Sequence, residues 1–155
     1  MAKIIVGLSY QKGRIRHTTI SENGERFQYV AHGSIKYDPD LPLGELVERW
    51  RLDFDELLKA QKPVIVGATE ILESGSRNSA RYQILPLGLT ALSCQKCDVP
   101  LKVFSPQAFI KGGPFGLAQG VRPISQVDSQ FGSHSPNWDD MQRKSALAAW
   151  RAGLD

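Results

Sequence analysis

The chain has 155 residues, of which 41% are hydrophobic and 23% charged, and a formal net charge of +3. That length predicts one domain spanning residues 1–155 with a sizeable core, and the balance is ordinary for a globular protein. No apolar run approaches the roughly 20 residues of a membrane helix, so no membrane partner is expected, and the mild charge does not by itself announce a nucleic-acid binder.

The stretch from Met1 to Gly7 is too short and too strand-like for a signal peptide, and the expected location is cytoplasmic. Ala2 to Ser9 is a short apolar run with β-branched residues and predicts a buried strand. Gln11-Lys12-Gly13 is a turn, and Arg14 to Ile20 suits a second strand. Asn23-Gly24 is a hairpin signal, followed by a third strand from Arg26 to Tyr37. These strands make an antiparallel meander. Residues 1–37 hold Lys3, Lys12, Arg14, Arg16, Arg26 and Lys36 against only Glu22 and Glu25. Presented on one face they would track phosphates. Otherwise they are the solvated charges of an edge hairpin that resist aggregation.

From Leu43 to Gln61 the residues Leu46, Val47, Trp50, Leu52, Phe54, Leu57 and Leu58 recur at near-helical spacing, and Pro63 follows. This predicts an amphipathic helix over the sheet. Val64 to Leu72 is nearly continuous apolar sequence, as in a strand buried on both faces. Arg77 to Ser93 predicts a second helix, kinked at Pro86. Cys94 and Cys97 form a lone Cys-x-x-Cys without the second pair a structural zinc site needs, and read as two thiols near a helix end. Leu101 to Phe104 is a short fifth strand, and Ser105-Pro106-Gln107 opens a brief helix through Ile110. Lys111 to Pro123 is a glycine-rich loop, residues 124–137 give no assignable period, and Asp139 or Asp140 starts a last helix through Trp150.

The order is three strands, helix, strand, helix, strand, helix. It predicts an α/β fold: an RNase H-like mixed five-stranded sheet, with three antiparallel strands then βαβ units, and helices on both faces.

Several segments in this order resemble the RuvC family of Holliday-junction resolvases over nearly the whole length. Gly7-Leu8-Ser9 resembles the Gly-Ile-Asp of the family's first strand, and Lys62-Pro63 through Glu70 its Pro-x-x-x-x-Ile-Glu strand. Asn78-Ser79-Ala80 with Leu87-Gly88 resembles the Asn-Ser-Ala helix. Ser145-Ala146-Leu147-Ala148 resembles the Asp-Ala-Leu-Ala of the last helix. The resemblance implies recombination chemistry in which four carboxylates hold two magnesium ions that clamp the attacking and leaving oxygens of a phosphodiester. It places the first acid at Ser9, the second at Thr69 or, with a one-residue shift, at Glu70, and the last at Ser145. Met141 or Gln142 stands one turn earlier, where the family has Asp or His.

Three readings follow. The first is a RuvC-like pseudo-nuclease that binds branched or duplex DNA, or serves a larger nucleic-acid-processing assembly, with no cofactor. The second is an active, Mg2+-dependent endonuclease with a site rebuilt from Glu70, Asp139 and Asp140. The third is a protein-interaction module that uses the apolar residues Phe115, Leu117 and Phe131, unless these fold back on the core. Candidate phosphate contacts are Lys12, Arg14, Arg16, Arg77 and Lys111. The resemblance also implies a homodimer, with the Arg77–Ser93 helix as its contact.

Overall fold

The computed structural model describes residues 2–24, 26–70 and 77–154, with the side chains of 77–79 excepted. Its strands are β1 (Lys3–Gln11), β2 (Arg14–Asn23), β3 (Arg26–Lys36), β4 (Ile65–Thr69) and β5 (Leu101–Phe104). Its helices are α1 (Leu43–Gln61), α2 (Arg77–Lys96), α3 (Pro123–Phe131) and α4 (Asp140–Leu154). The strands form one mixed sheet in the order β3-β2-β1-β4-β5. β1, β2 and β3 pair antiparallel, whereas β4 runs parallel to β1 and β5 parallel to β4. This is the predicted architecture.

Helices cover both faces. Val6, Leu8, Tyr10 and Ile15 meet Leu46, Trp50, Phe54 and Leu58 of α1 on one side. The four α1 residues are spaced by four, so they form a single buried stripe. Leu52 falls off that stripe and faces solvent. The helix ends where Lys62 takes a left-handed conformation just before Pro63, and the Lys62 N–H bonds to the Leu58 carbonyl. On the opposite face Ile5 and Ile20 meet Ala146, Leu147, Ala149 and Trp150 of α4.

α4 lies unusually close to the sheet. A Cβ on Gly7 would come within 1.9 Å of the Ser145 carbonyl oxygen, and one on Gly67 within 2.2 Å of the Ala148 carbonyl oxygen. Glycine in the two strands and alanine on the helix are what allow that approach.

Several bounds differ from expectation. The strand expected over Val64–Leu72 spans Ile65–Thr69, and Ile71 and Leu72 lie outside the described residues. α2 extends three residues beyond Ser93 to Lys96, with Pro86 inside it. Cys94 is buried in its last turn and Cys97 is exposed just after it. The segment with no assignable period contains α3, whose Ile124, Val127 and Phe131 do follow helical spacing after Pro123. Phe115 and Phe131 are buried against Trp150, and Leu117 packs on the same cluster. The apolar residues of that region therefore fold back on the core rather than offering a partner contact. Among the described residues no helix is long and apolar enough to cross a membrane.

Candidate functional site

The parallel strands β1, β4 and β5 end at one edge of the sheet, the edge at which open α/β sheets hold ligands. Ser9 and Thr69 sit there, and the first turns of α4 arrive beside them. Strand alternation settles the register of the second position. Gly7 and Gly67 are paired and both face α4, so Ser9 and Thr69, two residues further on, share that face. Thr69 is buried, whereas Glu70 is exposed and falls on the other side of the strand. Of the two candidates, Thr69 and not Glu70 shares the α4 face with Ser9.

Ser9, Gln142 and Ser145 are neutral groups, each hydrogen-bonded within the fold, and Thr69 is buried on the same face. Ser9, Gln142 and Ser145 are no more than 1% exposed. Ser9 Oγ donates to the Met141 carbonyl at 2.7 Å. Gln142 Nε2 donates to the His17 carbonyl at 2.8 Å and to Thr18 Oγ1 at 3.0 Å. Thr18 Oγ1 lies 2.6 Å from Ser145 Oγ, which in turn donates to the Gln142 carbonyl at 2.6 Å. Each hydroxyl has one proton, so the direction is determined: Gln142 to Thr18, Thr18 to Ser145, Ser145 to the Gln142 backbone. The ring closes on itself. Thr18 was missed in the sequence because nothing marks it there; it takes part because it pairs across the sheet with Gly7 beneath α4.

This donor set does not fit a pair of magnesium ions. Mg2+ asks for charged oxygens at short range in octahedral array, and these oxygens are neutral and already engaged. Among the described residues no three His, Cys, Asp or Glu side chains group closely enough to hold a metal.

The acids proposed for a rebuilt site are engaged elsewhere. Asp139 accepts two hydrogen bonds from Arg16, each 2.8 Å, with the Arg16 side chain 4% exposed and that of Asp139 53%. Asp139 Oδ1 also accepts the Gln142 backbone N–H at 3.0 Å, capping the first turn of α4. Burial works to raise the Asp139 carboxyl, but the hydrogen bonds and the charges of Arg16 and Arg14 outweigh it and hold it below the ordinary range. Asp140 pairs with Arg143, which also grips Asp128.

The candidate phosphate contacts divide. Arg16 is buried and committed to Asp139, so it is a strut between sheet and helix rather than a free contact. Lys12 is exposed, with its ammonium 5.4 Å from the Tyr82 ring centre. Arg14 directly faces Lys36 across the β2–β3 pair, and its Nε and Nη2 have no hydrogen-bond partner among the described residues. Lys111 is exposed beside Gly112 and Gly113. The side chain of Arg77 lies outside the described residues.

A β-bulge shapes the outer strand beside this site. The register shifts between Thr19 and Ile20, leaving Val30 unpaired between Tyr29 and Ala31. Tyr29 and His32, three residues apart, thereby reach one face, where the Tyr29 hydroxyl lies 2.7 Å from His32 Nδ1. His32 Nε2 lies 2.9 Å from the Pro136 carbonyl, which ties the segment before α4 to the sheet edge.

No family model matches the chain, and no curated protein matches it by sequence. Solved structures do match. Thermus thermophilus RuvC in complex with a Holliday junction superposes with a TM-score of 0.78 at 16% identity, over 98% of this chain and 93% of that one. The yeast mitochondrial Holliday junction resolvase Ydc2 gives 0.65 at 14% identity, over 97% and 79%. The fowlpox virus Holliday junction resolvase gives 0.55 at 9% identity, over 97% and 95%. The chain thus has the fold of these resolvases, an RNase H-like mixed sheet with helices on both faces.

Proposed function

We propose that this chain is a DNA-binding protein on a RuvC-like frame that does not hydrolyse phosphodiesters. One observation supports this above the rest: the closed ring of Gln142, Thr18 and Ser145, with Ser9 bound to α4, fills the place where the fold would hold its metals. Holliday-junction DNA is the ligand in the matched Thermus thermophilus complex, so branched or duplex DNA is the substrate class to test first.

The charges fit this reading. Arg14 and Lys36 face each other across a strand pair and set two positive charges side by side at the sheet edge, with the Asp139 carboxylate near Arg14. The α4 N-terminus adds partial positive charge at the same edge, while the Asp139 carboxylate is engaged with Arg16. Lys12, Arg14, Lys36 and Lys111 are the proposed phosphate contacts, with Arg16 positioning α4. The endonuclease reading from Glu70, Asp139 and Asp140 draws no support from the geometry, since Asp139 and Asp140 are each paired with a different arginine and Glu70 is exposed on the side of its strand away from α4.

A homodimer is proposed through α2. Ile84, Leu85 and Leu92 are exposed, and with Gly88 they lie along one side of the helix, where a second copy would cover them. The test is binding and cleavage of a four-way junction at two salt concentrations, with Mg2+ or Mn2+ added. Binding that weakens steeply with salt and needs no metal is expected. Cleavage lost on Glu70→Gln would overturn the proposal, and no binding even at low salt would turn it toward a protein-interaction role.

A further inference from the structure

Beyond the carboxyl end of β5 the surface opens into a cavity of about 260 Å3. Phe109, Ile110, Ile124 and Leu147 form its apolar walls, and Arg122 and Lys144 stand beside them. Neither cation has a carboxylate partner among the described residues. Lys144 Nζ has only the Met141 sulfur, at 4.0 Å, and the acids nearest in the chain, Asp128 and Asp140, are held by Arg143. Ile110 is 48% exposed, so the apolar wall meets solvent.

Two unpaired cations over an apolar, partly aromatic wall suit a group that is flat and apolar on one side and anionic on the other. A nucleotide has that form, with a base that stacks on aromatic or guanidinium planes and a phosphate that takes the charge. The cavity also lies at the same edge of the sheet as Arg14 and Lys36, which pair at the far end of that edge. We propose that it receives one unpaired base of a bound DNA strand, with the adjoining phosphate on Arg122 and Lys144. The proposal rests on the DNA-binding reading and deepens it to a preference. A base already unpaired at a branch enters without the unstacking cost that a duplex base must meet, so branched or single-stranded DNA is favoured over duplex.

The probe is deoxyadenosine monophosphate, followed by methyl NMR on the full chain. Shifts of the Ile110, Ile124 and Leu147 methyls are expected, weakened in an Arg122→Gln/Lys144→Gln variant. Binding of a junction carrying unpaired bases should fall about tenfold in that variant, while binding of paired duplex holds. Ile110→Trp, a change at an exposed position that fills the cavity, should reproduce the loss. An equal loss on both DNAs overturns the pocket. So do shifts caused by an apolar dipeptide carboxylate but not by the nucleotide, which would assign the cavity to a protein C-terminus. DNA binding that persists with the nucleotide shut out removes the pocket and leaves the wider reading standing. No DNA binding at all removes both.

Discussion

Thr18 Oγ1 and Ser145 Oγ lie 2.6 Å apart, and this hydrogen bond ties the middle of the second strand to the last helix. Both residues are buried, and their link joins positions 127 apart in the chain. Two hydroxyl groups far apart in the chain thus become part of the core beneath α4.

Restoring an acid should therefore not restore a metal site. Ser145→Asp would bury a carboxylate against the Gln142 carbonyl, with the protons of the ring now missing. Destabilisation on the order of 3 kcal/mol or more is expected, because burying an ion without a partner costs several kcal/mol. Thermal and urea unfolding with and without Mg2+ checks this. A melting temperature that recovers on adding Mg2+ would show that α4 yields readily to a metal.

The Arg16–Asp139 pair should hold the start of α4 to the sheet. Asp139→Ala removes two charge-assisted hydrogen bonds and a cap, and leaves Arg16 buried without its anion. A loss of roughly 1–3 kcal/mol is expected, with half-exposed Asp139 keeping it below the cost of breaking a fully buried pair. The Asp139 carboxyl is held low in the folded state, so its contribution is present above the unfolded pKa of about 4 and fades as pH falls through the lower folded value. Urea unfolding from pH 5 downward should show that fade in the wild type and not in Asp139→Ala.

His17 should add a pH dependence of the same sign in a higher window. Burial, with His32 adding a smaller repulsion, pushes its imidazole down to about 4. The unfolded chain binds this proton near pH 6.5, so between about 6.5 and 4 the unfolded state holds the extra proton and stability falls as pH is lowered. A loss of roughly 2–3 kcal/mol across that window is expected. Unfolding of His17→Gln over the same range should be flatter. An equal slope would place the titration elsewhere.

The α2 stripe should control association. Ile84→Lys with Leu92→Lys places charge on the exposed side of the helix. Sedimentation should show a dimer for the wild type and a monomer for the variant, with monomer stability changed by no more than about 0.5 kcal/mol, as for most surface substitutions. A wild-type monomer at all concentrations would end the homodimer proposal.

Much of the fold was legible because its signals are local. The apolar runs of β1 and β4, the Asn23-Gly24 turn and the four-residue spacing of Leu46, Trp50, Phe54 and Leu58 each reflect a backbone period within a few residues. Serine at positions 9 and 145 was equally plain. α3 was missed because its apolar spacing covers only nine residues amid polar ones.

The sequence by itself determined the order of the five strands, the mixed sheet, the helices α1, α2 and α4, and the serines at positions 9 and 145. Tertiary structure decided which partners the side chains meet. Whether Thr69 or Glu70 faces α4 depends on the pairing of Gly67 with Gly7, and one residue of slip reverses the face. Whether Arg16 meets a phosphate or a protein carboxylate depends on Asp139, which lies 123 residues away. Side chains so distant along the chain meet only once the sheet and α4 have packed, so their partners follow from the fold and not from spacing.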